Sequence, residues 1–265
     1  MSTSSLIRYS VMVQKELLEL VRSFKLLWVP LVFVLLGVMQ PVTMFYMPLL
    51  LEKAGNMPEG SVIDIPLPTG TEVLAQTLQQ FGTLGILVLV LTAMSTVSGE
   101  RNSGAASLIL VKPVSPFAYI GSKWTSMLLL AWGALSAGYL AAWYYTELLI
   151  GEVPAKQVIG SLLIYGLWLS FVLTMTLLFS TLLKSPAAAA FSVLGASVTL
   201  SLISGIFPKQ MGWSPGALSG YAYQFVVGES FASGRFWLAA ISGLFLIILA
   251  LTASAALLRR SPAAE

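Results

Sequence analysis

The sequence predicts an all-α, polytopic membrane protein. Six transmembrane helices follow an amphipathic interfacial helix, and both termini lie in the cytoplasm. Three observations carry this. First, 57% of the 265 residues are hydrophobic and only 9% are charged, against about 25% charged in an average soluble protein. A soluble fold cannot cover itself with so few charges, whereas lipid accepts them. Second, the chain holds six apolar runs near or above the roughly 20 residues that a spanning helix needs. Third, lysine and arginine are unevenly distributed between the connections.

Residues 4–24 begin the chain as an amphipathic helix. Leu6, Tyr9, Val13, Leu17, Leu20 and Phe24 recur at spacings of three and four and share one face. Arg8, Lys15, Glu19 and Arg22 lie roughly opposite. A basic face against an apolar stripe suits the headgroup boundary. The spans are then expected at 26–50, 73–97, 119–149, 158–183, 187–207 and 236–258. The first contains Pro30, Pro41 and Pro48, which spanning helices tolerate when neighbours satisfy the freed carbonyls. The third is long enough to tilt or protrude. Lys184-Ser185-Pro186 is nearly the whole turn between the fourth and fifth, with Pro186 suited to the first turn of the next helix. Ala134, Gly138 and Ala142 form a small-residue stripe in the third span of the kind that permits close helix contact.

Orientation follows from Lys and Arg. With the N-terminus inside, the cytoplasmic set is Arg8, Lys15, Arg22, Lys25, Arg101, Lys112, Lys123, Lys184, Arg259 and Arg260. Only Lys53, Lys156, Lys209 and Arg235 fall outside. The expected placement is a multi-pass protein of the cell (plasma) membrane. The N-terminal 30 residues lack the short apolar core and cleavage site of a secretory signal.

Composition also narrows the chemistry. The chain has no Cys and no His, which removes thiol nucleophiles, histidine-based zinc sites and Ser–His catalysis. Basic residues are scattered without interleaved aromatics, so nucleic acid is not an expected partner. No charge is expected well inside a span, and Gln40 is the clearest mid-span polar residue. That argues against an ion-coupled transporter. No catalytic, metal-binding or cofactor-binding residue is assigned.

The most informative stretch follows the second span. Residues 98–124 read SGERNSGAASLILVKPVSPFAYIGSKW. The stretch opens polar, continues as a short helix that Asn102 or Ser103 would cap, and stops at Pro113. Ala105, Leu108, Ile109 and Lys112 share a face of that helix, a small ridge shaped to enter another protein's groove. Gly99-Glu100-Arg101, then Gly104, then Leu108, then Pro113-Val114-Ser115 resemble the pattern after the second span of ABC-2-type permeases. The length, the interfacial helix, the six spans and the long outer segment before the last span extend the resemblance over essentially the whole chain. One departure stands out: Ala105-Ala106-Ser107 occupy positions where that family often has Thr-Leu-Glu.

The resemblance implies a single transmembrane domain, 1–265, with a coupling-helix loop at 98–116 and an outer, re-entrant segment at 208–235. Gly99, Glu100, Arg101, Gly104, Leu108, Ile109, Pro113 and Ser115 would form the coupling element, with Glu100 and Arg101 as charged contacts to a cytoplasmic ABC ATPase subunit. The chain contains no G-x-x-x-x-G-K-[ST], so the partner would bind ATP and Mg²⁺ and carry out hydrolysis. A second permease chain, identical or homologous, would complete the transporter. The apolar composition suggests export of a hydrophobic or amphipathic substrate. The competing reading is a membrane-embedded assembly or regulatory protein without a transport path. On the outer side, Glu52, Glu59, Asp64 and Glu72 are expected to mark the translocated loop, and Glu229 to be a solvated carboxylate.

Overall fold

The structure is a computed structural model that describes residues 5–54, 68–104 and 115–260. Every regular element among them is helical. Helix α1 (Ser5–Arg22) leads into α2 (Lys25–Ala54). Then come α3 (Gly70–Gln80), a π-helical turn (Phe81–Gly85), α4 (Ile86–Ala93) and the short α5 (Ser98–Asn102). Four long or medium helices follow in α6 (Pro116–Leu149), α7 (Ala155–Leu182), α8 (Pro186–Ile206) and α11 (Ser233–Arg260), with α9 (Pro208–Met211) and α10 (Ala217–Val227) set before the last.

Six stretches are long and apolar enough to cross a bilayer: Lys25–Leu49, Gly70–Asn102, Pro116–Leu149, Ala155–Leu182, Pro186–Ile206 and Ser233–Arg259. They coincide with the six expected spans. Several begin earlier than the apolar runs because local caps carry the helix into polar sequence. Ser115 and Ser185 each accept a hydrogen bond from the backbone N–H three residues on, and each is followed by proline at the first helical position. Thr69 and Glu72 form a reciprocal capping box at the start of α3. Glu72 is therefore a structural cap. Glu52 falls in the last turn of α2, which runs past the expected start of the outer loop, and Glu59 and Asp64 lie outside the described residues.

Helix α7 is the central post. It contacts α6, α8, α10 and α11 and buries Tyr165, Trp168, Leu169, Val172 and Leu173. Helices α2 and α6 share the most extensive single contact, and the small-residue stripe explains how. A Cβ on Gly138 would lie 2.5 Å from the Phe33 carbonyl oxygen, and one on Gly37 would lie 2.2 Å from the Gly138 carbonyl oxygen. Ala134 and Ala142 continue the same seam and are fully buried. Without a hydrophobic drive between helices in lipid, such backbone proximity supplies the packing energy.

The second span is the irregular one. It passes through the π-helical turn and breaks at residues 94–97 before resuming as α5. The expected mid-span Gln40 donates its side-chain amide to Gln76 Oε1 of this span at 2.7 Å. The segment 208–235 folds back on the bundle, and α10 packs against α7 and α3.

Replacing Gly138 with Leu should lower the thermal unfolding midpoint in detergent, by the equivalent of about 1–3 kcal/mol or more. Gly133 lies on the same helix, and a Cβ there meets nothing within 4 Å. Gly133→Leu should leave the midpoint in place, and equal losses in both variants would dismiss the seam.

Candidate functional site

The second span breaks where the chain turns into Gly99-Glu100-Arg101. Such a break frees backbone groups that lipid cannot satisfy. Here side chains from two other spans take them up. Lys25 of α2 donates Nζ to the Thr92 carbonyl at 3.0 Å. Ser180 of α7 donates to the Met94 carbonyl at 2.7 Å and accepts from the Val97 and Ser98 N–H groups at 3.2 and 3.1 Å. The turn is then tied to the end of α7 and to the short connection that follows it. Arg101 donates to the Thr181 carbonyl at 2.8 Å, and the Asn102 amide donates to the Lys184 carbonyl at 3.0 Å. Gly104, at φ 75°, turns the chain out of the helix in the left-handed region that glycine enters without penalty.

Glu100 points the other way, into a charged network joining three elements. Lys123 Nζ of α6 lies 2.8 Å from Glu100 Oε1 and 3.1 Å from Glu16 Oε1 of α1. The Lys123 side chain is 1% exposed, Glu16 7% and Glu100 13%, so these charges have exchanged water for one another. Tyr119, one helical turn before Lys123, donates its hydroxyl to Glu100 Oε2, and its ring lies 5.0 Å from Lys123 Nζ. Lys15 closes the network from outside, at 2.8 Å from Glu100 and 3.0 Å from Glu16. Burial works against the Lys15 charge. Its hydrogen bonds to Glu100 and Glu16 outweigh that cost and raise its pKa above the ordinary lysine value.

A second contact fastens α1. The Tyr9 hydroxyl meets Thr125 Oγ1 at 2.6 Å and the Gly121 carbonyl at 3.2 Å. The apolar stripe that the sequence assigns to the bilayer is thus turned partly onto α6. Leu20 is buried, and Tyr9, Val13 and Leu17 are half-buried. A different apolar row, Ile7, Val11, Leu18 and Val21, stands exposed. Carboxylate oxygens of Glu16, Glu19 and Glu100 lie within 4.8 Å of one another, but Lys15 and Lys123 stand among them and pair with all three. A cavity of about 250 Å³ beside the network is lined by Glu16, Lys25, Glu100 and Lys123, polar enough and large enough to admit water.

Of the expected coupling residues, Gly99, Glu100, Arg101 and Gly104 come together in this turn, and Ser115 caps α6. Leu108, Ile109 and Pro113 lie outside the described residues. Asn102 and Ser103 close α5; the helix that either was expected to cap lies outside the described residues. Glu100 and Arg101 do not pair with each other; they hold different neighbours. Lys123, counted by the sequence among the cytoplasmic charges, sits buried inside α6. Sequence reasoning missed Glu16, Tyr119, Lys123 and Ser180. One signal was available: an acid on the apolar stripe of α1 and a lysine inside an apolar span both demand a partner of opposite sign.

The whole-chain comparison decides the family. The sequence profile described as ABC-2 family transporter protein matches residues 11–255. The chain belongs to the ABC-2 family of transporter proteins. A similar protein is the uncharacterized transmembrane protein YxlG of Bacillus subtilis (strain 168), 35% identical over 239 residues that cover 90% of this chain and 93% of that one. As an ABC-2 family member with six apolar spans, the chain is a multi-pass membrane protein of the transporter type. The charged network therefore lies within an ABC-2 family transporter protein.

Lys123→Met strips two buried carboxylates of their shared cation, and removing one partner of a buried pair costs about 3–5 kcal/mol. The thermal midpoint of the full chain in detergent should fall accordingly. Adding Glu16→Gln and Glu100→Gln to Lys123→Met should recover at least half of the loss. A triple variant no more stable than Lys123→Met would mean that charge compensation is not the reason for the network.

Proposed function

We propose that this chain is the membrane-spanning permease subunit of an ATP-binding cassette exporter in the cell membrane. A separate cytoplasmic ATPase subunit binds ATP and Mg²⁺ and powers it. Two permease chains, identical or homologous, pair in the assembly, with both termini of each in the cytoplasm. The cargo is a hydrophobic or amphipathic molecule moved outward.

The observation that carries this reading is the wiring of the Gly99-Glu100-Arg101 turn. It is bonded to α1 through Lys15, to α6 through Lys123 and Tyr119, and to the α7–α8 turn through Arg101 and Asn102. In the proposed machine, residues 105–114 dock on the ATPase, with Leu108, Ile109 and Pro113 in the contact. The described turn is their anchor. Movement of the docked segment pulls on Glu100 and Arg101, which transmit it to α6, α7 and α1. Because Glu100 is mostly buried among its own chain's cations, its role is transmission into the bundle, and direct contact with the ATPase falls to the segment beyond Gly104.

Two experiments test this. Purification of the tagged chain from its native membrane in mild detergent should recover a stoichiometric P-loop ATPase by mass spectrometry. Recovery of the chain alone, under conditions that keep other ABC complexes intact, would overturn the permease reading. In the purified complex, Glu100→Gln with Arg101→Gln should retain the ATPase while its ATP-driven transport drops at least about 5-fold, the lower end of typical coupling free energies. Unchanged transport in this double variant would separate the turn from coupling.

A further inference from the structure

A second cavity lies at the opposite end of the bundle from α1. It has a volume of about 280 Å³ and sits between α8 and the folded-back segment that contains α10. Ser201, Ser204, Ser219, Tyr223 and Gln224 line it, and its wall contains no Lys, Arg, Asp or Glu. The serine protons point into the protein: Ser219 donates to the Gly216 carbonyl at 2.9 Å and Ser204 to the Leu200 carbonyl at 2.7 Å. Ser201 and Ser219 share a further contact at 3.1 Å. Ser204 Oγ also meets Ser214 Oγ at 2.7 Å, and since a hydroxyl oxygen has two acceptor lone pairs, these contacts leave each serine oxygen at least one. The Gln224 side-chain amide has no hydrogen bond among the described residues, so it offers both donors and an acceptor.

Glycine makes the room. Gly205 and Gly220 line the cavity, and a Cβ built on either meets nothing within 4 Å. The inner wall leads toward the irregular span. Tyr223 stacks on Tyr165 at 6.5 Å, and both hydroxyls come close to Gly82 in the π-helical turn. Tyr165 is fully buried, and its hydroxyl has no partner among the described residues. Such π-helical turns concentrate at functional sites. Whatever occupies the cavity therefore rests on a wall that reaches the span carrying the Gly99-Glu100-Arg101 turn.

The lining selects a chemistry. No side chain lining the cavity carries a charge, so a charged group placed here exchanges water for neutral partners, which is penalised; Arg235 stands beyond Gly212 and outside the lining. An uncharged donor-rich group finds serine oxygens and the Gln224 amide. The volume is just below the range of about 300–1,000 Å³ typical of drug-sized ligands, so it suits a headgroup and not a whole lipid. Leu202 and Ile206, exposed on α8 next to Ser201 and Gly205, offer an apolar surface for the tail. We propose that this cavity binds the uncharged, hydroxyl-bearing head of an amphipathic molecule. That this molecule is the cargo rests on the transport reading above; the binding itself does not.

The test uses the full chain in lipid nanodiscs and three photoactivatable probes with one common acyl tail. One carries a glycerol head (a monoacylglycerol), one a phosphate head (a lysophosphatidate) and one an ammonium head (an alkylamine). Labelled peptides are read by mass spectrometry. The monoacylglycerol should label residues 201–224 at least five times more than either charged probe. Gly220→Leu, which fills the cavity, should cut that labelling at least fivefold, and so should Gly205→Val. Thermal unfolding verifies that each variant is folded, and two variants keep the test decisive if one is not. Equal labelling by all three probes, preference for a charged head, or undiminished labelling in a folded filled variant would each overturn the proposal. No ATPase enters this measurement, so its failure is separate from failure of the coupling reading.

Discussion

One buried ammonium organises an entire end of this bundle. Lys123 lies within 3.1 Å of carboxylates from two different elements, Glu16 on α1 and Glu100 at the end of the second span. Each of these ions has lost most of its water, and none is tolerable there without the others. The requirement is directional as well as energetic. Glu16 must face α6, which fixes the roll of α1 about its axis. Glu100 must face the same point, which fixes how the second span ends. With Glu100 turned inward, Arg101 on the next residue is left facing the carbonyls where α7 ends.

The same logic explains why the second span can be broken at all. In hydrocarbon an unpaired backbone group costs several kcal/mol, so a break survives only against partners. Lys25 takes the Thr92 carbonyl, and Ser180 takes the Met94 carbonyl along with two N–H groups. These partners come from α2 and α7, so the irregular stretch is an internal feature of the bundle and not a lipid-facing one. The result is a segmented span. Its α5 end joins the charged network, and its π-helical middle lies against Tyr165 and Tyr223. Each segment of this span is held by different neighbours.

Packing elsewhere relies on closeness. At Gly37 and Gly138 the backbones of α2 and α6 approach until no Cβ fits. Gly166 similarly gives way to Trp132, and Gly160 to Phe225. Large side chains fill the spaces that small ones open, which supplies van der Waals contact where burial from lipid supplies little.

Much of this architecture is local and was legible in the sequence. Apolar length alone sets the six spans, because the bilayer's thickness imposes it. Ser115-Pro116 and Ser185-Pro186 start helices by chemistry confined to four residues. The Gly99-Glu100-Arg101 motif fell on the turn where the second span ends, and the Ala134–Gly138–Ala142 stripe marked a close seam. The partners were not legible. Nothing near Lys123 in the chain announces Glu16, 107 positions away, and nothing near Glu100 announces that its carboxylate faces inward. The sequence placed the apolar stripe of α1 toward lipid, whereas tertiary packing turned Leu20 and Glu16 onto the bundle. The reason is physical: periodicity states which residues share a face, while the charge on an opposing helix decides what that face meets. So the sequence by itself determined the spans and the family; only the tertiary structure decided which ions are buried together, and thereby how the Gly99-Glu100-Arg101 turn is tied to the rest.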